Sequence, residues 1–575
     1  MSGPAAMIGP NHTDKMASSP DLLDRAMVLY LTVPLALFLG GWFRPGVAVV
    51  LLLALAVSLS PLIRRRDSSA TPAMPAAPAA PVTPATPAPG SGAGAAGAPR
   101  ALTRGEIALA IGVGLAWTLC GGTGHWLFAN PDWQVRDAVL HDLVAGHWPV
   151  GYGSLDGAPS ILRAPLGFYL PAALVGKLAG LNCAHIAMAA WTALGATLFL
   201  IAVISLVPAR RAAVFTALAV VVLFSGLDLV GNLAYVPDFL AHWQPGQHLE
   251  WWAARYQYSS MTTQLFWVPN HALGGWLAIA LLARSRATCA LDTLWLLIVV
   301  ALALASPLAA LGLVPFVLWR LASRALEERT APAPRALQPR GWVRTLQPRS
   351  WAPALLIGLA LASYLTLDAA RIPKGWTFGR HGLDAPALAQ DFVRQGVFFV
   401  LEAGLVGCAV LTLLRSSEVV LALLVLALLP LVSFGAANDL VMRASIPSLT
   451  VLAIAAALAL VRSPRGTGDA GNRLRGDSDR SLVLRKSVLG ALLLVGAVTP
   501  LEEFARAILL PRWPVNLEAR LIEASCGAYP AHYIARLREG LAARLLRAPQ
   551  ALAATPGTSD CHNPATQLMR ERGLL

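Results

Sequence analysis

The sequence predicts an all-α, polytopic membrane protein: a transmembrane helical bundle of about 13 spans with an interfacial helix and an extracytoplasmic C-terminal tail. Three observations predict it. Of 575 residues, 56% are apolar and only 13% charged, with a mean hydropathy of +0.59, whereas a soluble chain carries about 25% charged residues. The apolar residues gather into runs of roughly 20, the length that crosses a hydrocarbon core about 30 Å thick. Arginine is concentrated in the short loops between those runs, as the positive-inside rule expects. The net charge of +14 therefore reads as loop charge, and no basic groove interleaved with aromatics suggests nucleic acid. A second apolar run directly after the first argues against a cleaved signal peptide.

Taken in order, helices are expected at 26–43 and 46–63, followed by Arg64, Arg65 and Arg66 on the cytoplasmic side. Residues 67–100 are almost all Ala, Pro, Gly, Ser and Thr. Such a composition cannot build a core and reads as a disordered linker. The chain thus divides into an N-terminal transmembrane hairpin (1–66), the linker (67–100), a transmembrane body (101–509) and an extracytoplasmic tail (510–575).

The body opens with a helix at 105–122 and a polar outer stretch at 123–166. The run Gly167–Leu181 is short and contains Lys177. If it spanned, Arg210 and Arg211 would fall outside, so it is expected to lie flat on the outer surface. Spans follow at 184–207, 212–231 and 266–283, with an outer loop at 232–265. The run 290–321 is too long for one pass and is expected to break at Ser306 and Pro307. Beyond a basic inner loop at 322–350, spans are expected near 352–370, 394–414, 418–435, 447–462 and 486–505. The stretch from Arg462 to Lys486 is basic and reads as inner. The N-terminus is then cytoplasmic and the C-terminus periplasmic, in a bacterial inner membrane.

Under this topology Cys526 and Cys561 share an oxidising compartment. A disulfide between them is expected, worth roughly 3–4 kcal/mol on the chain-entropy argument. Cys120, Cys289 and Cys408 read as small apolar fillers of spans, and Cys183 has no evident partner.

Polar residues gather in the outer loops. In the first, Asp132, Arg136, Asp137 and His141 recur near helical spacing, and Pro131 marks a helix start, with Leu140, Leu143 and Val144 expected on the membrane surface. A carboxylate such as Asp132 can accept a proton or bind a divalent metal. It can equally complement the helix dipole. The second outer loop carries Trp243, Trp251, Trp252, Arg255, Tyr256, Gln257, Tyr258 and Trp267. Rings beside amides and hydroxyls suit sugar binding, and an interfacial aromatic belt is the other reading. His271 lies inside an apolar run, where ionisable groups usually face a cavity or a partner. Asn438, Asp439 and Arg443 form a third cluster: either Arg443 is a phosphate clamp, or it makes a surface ion pair with Asp439 that contributes little. A weaker basic patch holds Lys374, Arg380 and His381. Glu502, Glu503 and Arg506 are expected to pair, and Glu402, the lone acid within its span, to be a buried structural partner. No Walker loop, dinucleotide glycine motif or zinc-spaced ligand pair is present.

The order of these features resembles the GT-C superfamily of polytopic membrane glycosyltransferases. The shared elements are a first body helix, an outer loop opening on Asp132, the stretch Pro165–Leu170, and the stretch Gly176–Gly180. The likeness of topology covers about residues 100–575, and that of motif 130–180. More narrowly, the chain is similar to bacterial GT-C-like membrane proteins carrying the patterns at Asp132–Val150, Gln257–Ser260 and Met442–Pro447. The resemblance implies inverting transfer of a sugar from a polyprenyl-phosphate carrier to a glycan, lipid or protein acceptor, in assembly of the cell envelope. Asp132, or Asp137 in its place, would be the base. Arg443, or the Lys374 and Arg380 patch, would hold the carrier phosphate, with Arg136, His141, Tyr256, Gln257, Tyr258 and His271 as further binding residues. Many members place a second acidic residue directly after the first; here Trp133 follows Asp132, which leaves a divalent metal at Asp132 open. Two rival readings remain. One is a secondary transporter, although no internal repeat is visible and the polar residues gather at a rim, not the midplane. The other is a non-catalytic scaffold of the same fold.

Overall fold

The computed structural model describes residues 21–63, 99–285, 291–330, 348–377, 385–435, 437–462, 475–552 and 563–574. Most of the linker, Arg64–Arg66, Arg286, Cys289, Arg380, His381 and Cys561 lie outside the described residues. The chain is mainly helical, and seven helices are long and apolar enough to cross a membrane.

The first two, α1 (Leu22–Trp42) and α2 (Pro45–Ile63), form the expected hairpin. Asp21 caps α1, accepting the Asp24 N–H at 2.8 Å. The hairpin is not peripheral: α1 packs on the body, and Arg284 reaches back to Asp24 at 2.8 Å and to Asp21. Then come α3 (Arg104–Cys120), started by a Thr103–Glu106 capping box, and α4 (Trp133–Ala145). α5 (Leu170–Ala179) has 10 residues, roughly 15 Å of helix and too short to cross. Gly180, at φ +89°, turns the chain into the long α6 (Leu181–Ile204).

Two expected helices are broken. The run expected at 212–231 is α7 (Arg211–Val222) and α8 (Asp228–Tyr235), separated where the backbone at Gly226 runs directly against Glu402. A short turn, α9 (Phe239–His242), follows. The run expected at 266–283 is α10 (Met261–Trp267) and α11 (Pro269–Arg284), because Pro269 brings no N–H to continue α10. The expected break at Ser306 is present: α12 (Trp295–Ala305) ends on extended Ser306, and α13 (Pro307–Thr330) starts on Pro307. Helices Pro348–Leu365, Ala385–Phe399, Leu405–Leu413, Ser417–Leu428, Ile446–Val461, Arg475–Gly496 and Val498–Leu509 complete the bundle. α11 and Ile446–Val461 lie at its centre, buried on nearly all sides, with the stacked rings of Trp117 and Trp276 against them.

The outer loops hold strands that helical periodicity did not suggest. Strands β1 (Val150–Leu155) and β2 (Ala158–Leu162) form a hairpin; β3 (Lys374–Trp376) and β4 (Val432–Phe434) form a two-stranded ribbon. From the tail, β5 (Ile534–Arg536) adds antiparallel to β2, with Ile161 opposite Ala535. β6 (Gln550–Ala551) adds parallel to β1. The order β5-β2-β1-β6 thus joins the first outer loop to the C-terminal tail.

Candidate functional site

The second outer loop, the two-stranded ribbon at Ser433 and the ends of several helices surround a cavity of about 740 Å³. Asp132 enters at the start of α4. Its side chain makes no capping hydrogen bond; instead it is 48% exposed and pairs with Arg136 Nη2 at 3.1 Å, one turn along. Its place at the N-cap of α4 is the one the helix-dipole reading expects, and its exposure leaves it open to the cavity as well. Arg136 is buried, with its Nε 3.5 Å from Asn270 Oδ1 and its Nη1 without a partner among the described residues.

Across the cavity, Arg443 Nη2 pairs with Asp439 Oδ1 at 2.8 Å, while its buried Nε has no partner among the described residues. The ion pair expected as one of two readings is formed, and part of the guanidinium remains unspent. The turn holding it depends on Gly435, at φ +88° directly against the Asp439 carboxylate, where any Cβ would collide. Asn438, also left-handed at φ 56°, donates from its side chain to Arg255 O at 3.1 Å and ties this turn to the second outer loop.

The third wall is aromatic. Trp251 is 47% exposed, and Trp251 and Trp267 line the cavity with His248 between them, 4.6 and 4.9 Å from their ring centres. Glu503 fixes this wall from behind. It accepts from Trp267 Nε1 at 2.8 Å, lies 2.8 Å from His248 Nδ1, and pairs with Arg506 at 2.9 Å. Arg506 also lies over the Trp267 ring at 5.6 Å. Gln257 and Ser259 line the floor, with Gln257 donating to Glu250 at 2.8 Å.

The tail comes near the charged groups of the cavity without lining it. The Arg163 N–H donates to Tyr533 O at 2.7 Å and its guanidinium donates to Ala531 O, which holds His532 and Tyr533 beside the site. Partial burial lowers the His532 pKa; Asp439 and Asp132 pull it up, Arg443 and Arg163 push it down, and the net is a value below the ordinary 6.5. Its imidazole is therefore neutral at pH 7. Burial, helped by Asp132 and Asp439 against Arg136 and Arg443, raises the Tyr533 phenol.

An apolar groove of about 470 Å³, lined by Leu308, Leu311, Trp376, Phe434 and Leu440, adjoins the cavity and shares Ser433 with it. Lys374 lines this groove, and Arg380 lies outside the described residues.

Several residues expected at the site are elsewhere. Asp137 is fully buried behind α4, 3.0 Å from His125 Nε2 and accepting the Asn516 N–H at 3.1 Å. It cannot meet a substrate. His141 pairs with Asp142 at 3.0 Å on the same hidden face, and Leu140 and Leu143 are buried in the core, not on the membrane surface. Tyr256 and Tyr258 are buried too, their hydroxyls donating to Asp391 at 3.3 Å and to Leu426 O. His271 is buried, 2.9 Å from Ser306 Oγ, where it staples α11 to the α12–α13 break. Glu402 is the buried structural partner expected of it: it accepts from Trp252 Nε1 at 2.9 Å, which removes Trp252 from the expected belt. Cys526 is disulfide-bonded, and Cys561, expected as its partner, lies outside the described residues.

Sequence reasoning missed His248 and His532 altogether. The only signal for His248 is Glu503, 255 residues away, and a single sequence does not reveal that pairing. A divalent cation fits poorly here. Asp132 and Asp439 are each held by an arginine, and no three His, Cys, Asp or Glu side chains converge among the described residues. No family model, curated protein or solved structure matches the chain.

Proposed function

We propose that this cavity is the active site of a GT-C-type membrane glycosyltransferase, which moves a sugar from a polyprenyl-phosphate carrier to an acceptor outside the cytoplasm. The bundle sits in a bacterial inner membrane with the cavity end outward and the N-terminus inward. The shorter helices, including α7, α11 and α12, then complete a topology of about 13 spans around the seven long ones.

One observation carries this reading: Asp132, the most exposed carboxylate of the cavity, is paired to Arg136 and shares the cavity with Arg443, each arginine keeping one unspent buried donor, beside an aromatic wall. Asp132 accepts the proton of the acceptor hydroxyl as that oxygen attacks the anomeric carbon. The bond from the anomeric carbon to the phosphate oxygen breaks, and the carrier phosphate leaves with the bonding pair. Arg443 Nε, and Arg136 Nη1 beside it, are the donors for the charge that develops there. Trp251 and Trp267 offer faces for the apolar side of a sugar ring. The adjoining groove takes the first units of the polyprenyl tail, with Lys374 along it for lipid phosphate.

The test is transfer from polyprenyl-phosphate-linked sugars by protein in lipid nanodiscs, with envelope glycans measured in parallel. Asp132→Asn is expected to lower transfer by at least about 100-fold while the protein stays inserted. Unchanged glycans in that variant would defeat the enzyme reading and favour a scaffold. Substrate flux indifferent to Asp132→Asn would favour a transporter.

A further inference from the structure

We infer that the end of the bundle opposite Asp132 carries a site for an anionic phospholipid, one acyl chain seated between helices and the phosphate held at Arg415. A second cavity of about 750 Å³ lies there and shares no lining residue with the first. The same helices reach both. Val268, which precedes α11, and Met442 line the first; Ala283 on α11 and Leu458 line the second. Fifteen residues of helix separate Val268 from Ala283, roughly 22 Å along the axis.

Three features identify the occupant. The depth of the cavity is apolar, walled by Ile279, Phe316, Leu411 and Ile454. The flanking helix faces leave Leu318, Val420 and Leu424 at 60%, 45% and 55% exposure, as lipid-facing residues are, so an acyl chain can enter sideways from the bilayer. The mouth carries Trp319, whose indole N–H donates to Ser417 Oγ at 3.2 Å, the placement of an interfacial anchor.

Charge at the mouth decides the headgroup. Three carboxylates lie nearby, Asp292 3.5 Å from Arg320, Glu327 3.6 Å from Arg324, and Glu418, which accepts from Ser416 Oγ at 2.8 Å and keeps its charge; Arg320, Arg324, Arg415, Arg485 and Lys486 outnumber them. Arg415 is exposed and has no hydrogen-bond or ion-pair partner among the described residues. Arg485 and Lys486 add charge at the same end, donating to Thr412 O at 3.0 Å and Leu460 O at 2.7 Å. A basic pocket between helices at a membrane surface selects anionic headgroups. A soluble anion would have no use for the apolar depth, and a neutral lipid none for Arg415. The inference does not depend on the chemistry proposed at the outer cavity.

Full-length protein in mild detergent, titrated with phosphatidylglycerol or phosphatidylcholine and followed by native mass spectrometry, tests the site. One phosphatidylglycerol is expected to be retained per chain, in preference to phosphatidylcholine, and glycerol phosphate is expected not to displace it. Arg415→Gln should weaken retention about fivefold. Ala455→Phe, which fills the cavity, should abolish it without changing the melting temperature in lipid-free detergent. An adduct that survives both substitutions, forms equally with both lipids, or is displaced by glycerol phosphate overturns the assignment.

Discussion

The two faces of α4 carry similar residues and do opposite things. On one face, Asp132 is open to the cavity and bound only by Arg136 on its own helix. On the other, Asp137 is sealed by His125, and Asp142 accepts from Tyr152 at 2.8 Å and the Leu521 N–H at 3.1 Å. The hidden face receives the tail: Trp513 O lies 3.1 Å from His125 Nδ1, and the Trp513 indole donates to Ala129 O at 2.8 Å. A carboxylate buried against protein donors, as Asp137 and Asp142 are, rigidifies the fold. One open to the cavity, as Asp132 is, is available to a ligand. Type and spacing do not separate the two; burial does.

The sharpest way to break that comparison is to neutralise each carboxylate in turn. Asp132→Asn is expected to cut transfer by about 10²–10⁴-fold while changing stability by less than about 0.5 kcal/mol, measured by nanodisc transfer and by thermal melting. Asp137→Asn is expected to do the reverse, lowering stability by about 3 kcal/mol, with activity in the surviving folded fraction unchanged. If Asp137→Asn abolishes turnover in protein of normal stability, the assignment of the faces is wrong. Next in size is Arg443→Lys. It keeps the charge but loses the Nε donor and the planar fork, so kcat/KM should fall about 10–100-fold; a variant at wild-type rate would remove Arg443 from the chemistry. Trp251→Ala should raise KM about 3–10-fold with little change in kcat, since the ring offers only a face to the sugar. The smallest effect concerns pH. Because His532 is held below 6.5, it stays neutral through the physiological range and gains a proton only in acid, placing a positive charge beside Arg443. Transfer should therefore be flat near pH 7 and decline only below pH 6.5, and His532→Gln should remove part of that decline.

The helical bundle was legible because burial in lipid imposes long apolar runs, and arginine marks the loops between them. That the run holding α5 is too short to cross followed from its length and charge, and the Ser306–Pro307 break from proline chemistry. The breaks at Gly226 and Pro269 were not read, since each lies within a continuous apolar run whose composition hides it. At the site, Asp132, Gln257 and Arg443 were legible as polar groups stranded in outer loops. Asp137, His141, Tyr256 and Tyr258 carry the same signature, and only the fold shows that their polar atoms are consumed inside. The strands were missed because β5 and β6 are three and two residues long, too short for an alternating pattern. Their pairing with β1 and β2 spans hundreds of residues.

That pairing has a consequence for biosynthesis. Asp132 and His532, which interact electrostatically, are 400 positions apart in the chain, and the four-stranded sheet needs β5 and β6 from the tail. At about 5–20 residues per second, the ribosome leaves β1 and β2 without those strands for some tens of seconds. During that interval Asp132 and Arg136 are exposed, and the first outer loop presents unpaired strand edges. The four-stranded sheet is therefore completed only after β5 and β6 have been made, some 400 residues after β1 and β2.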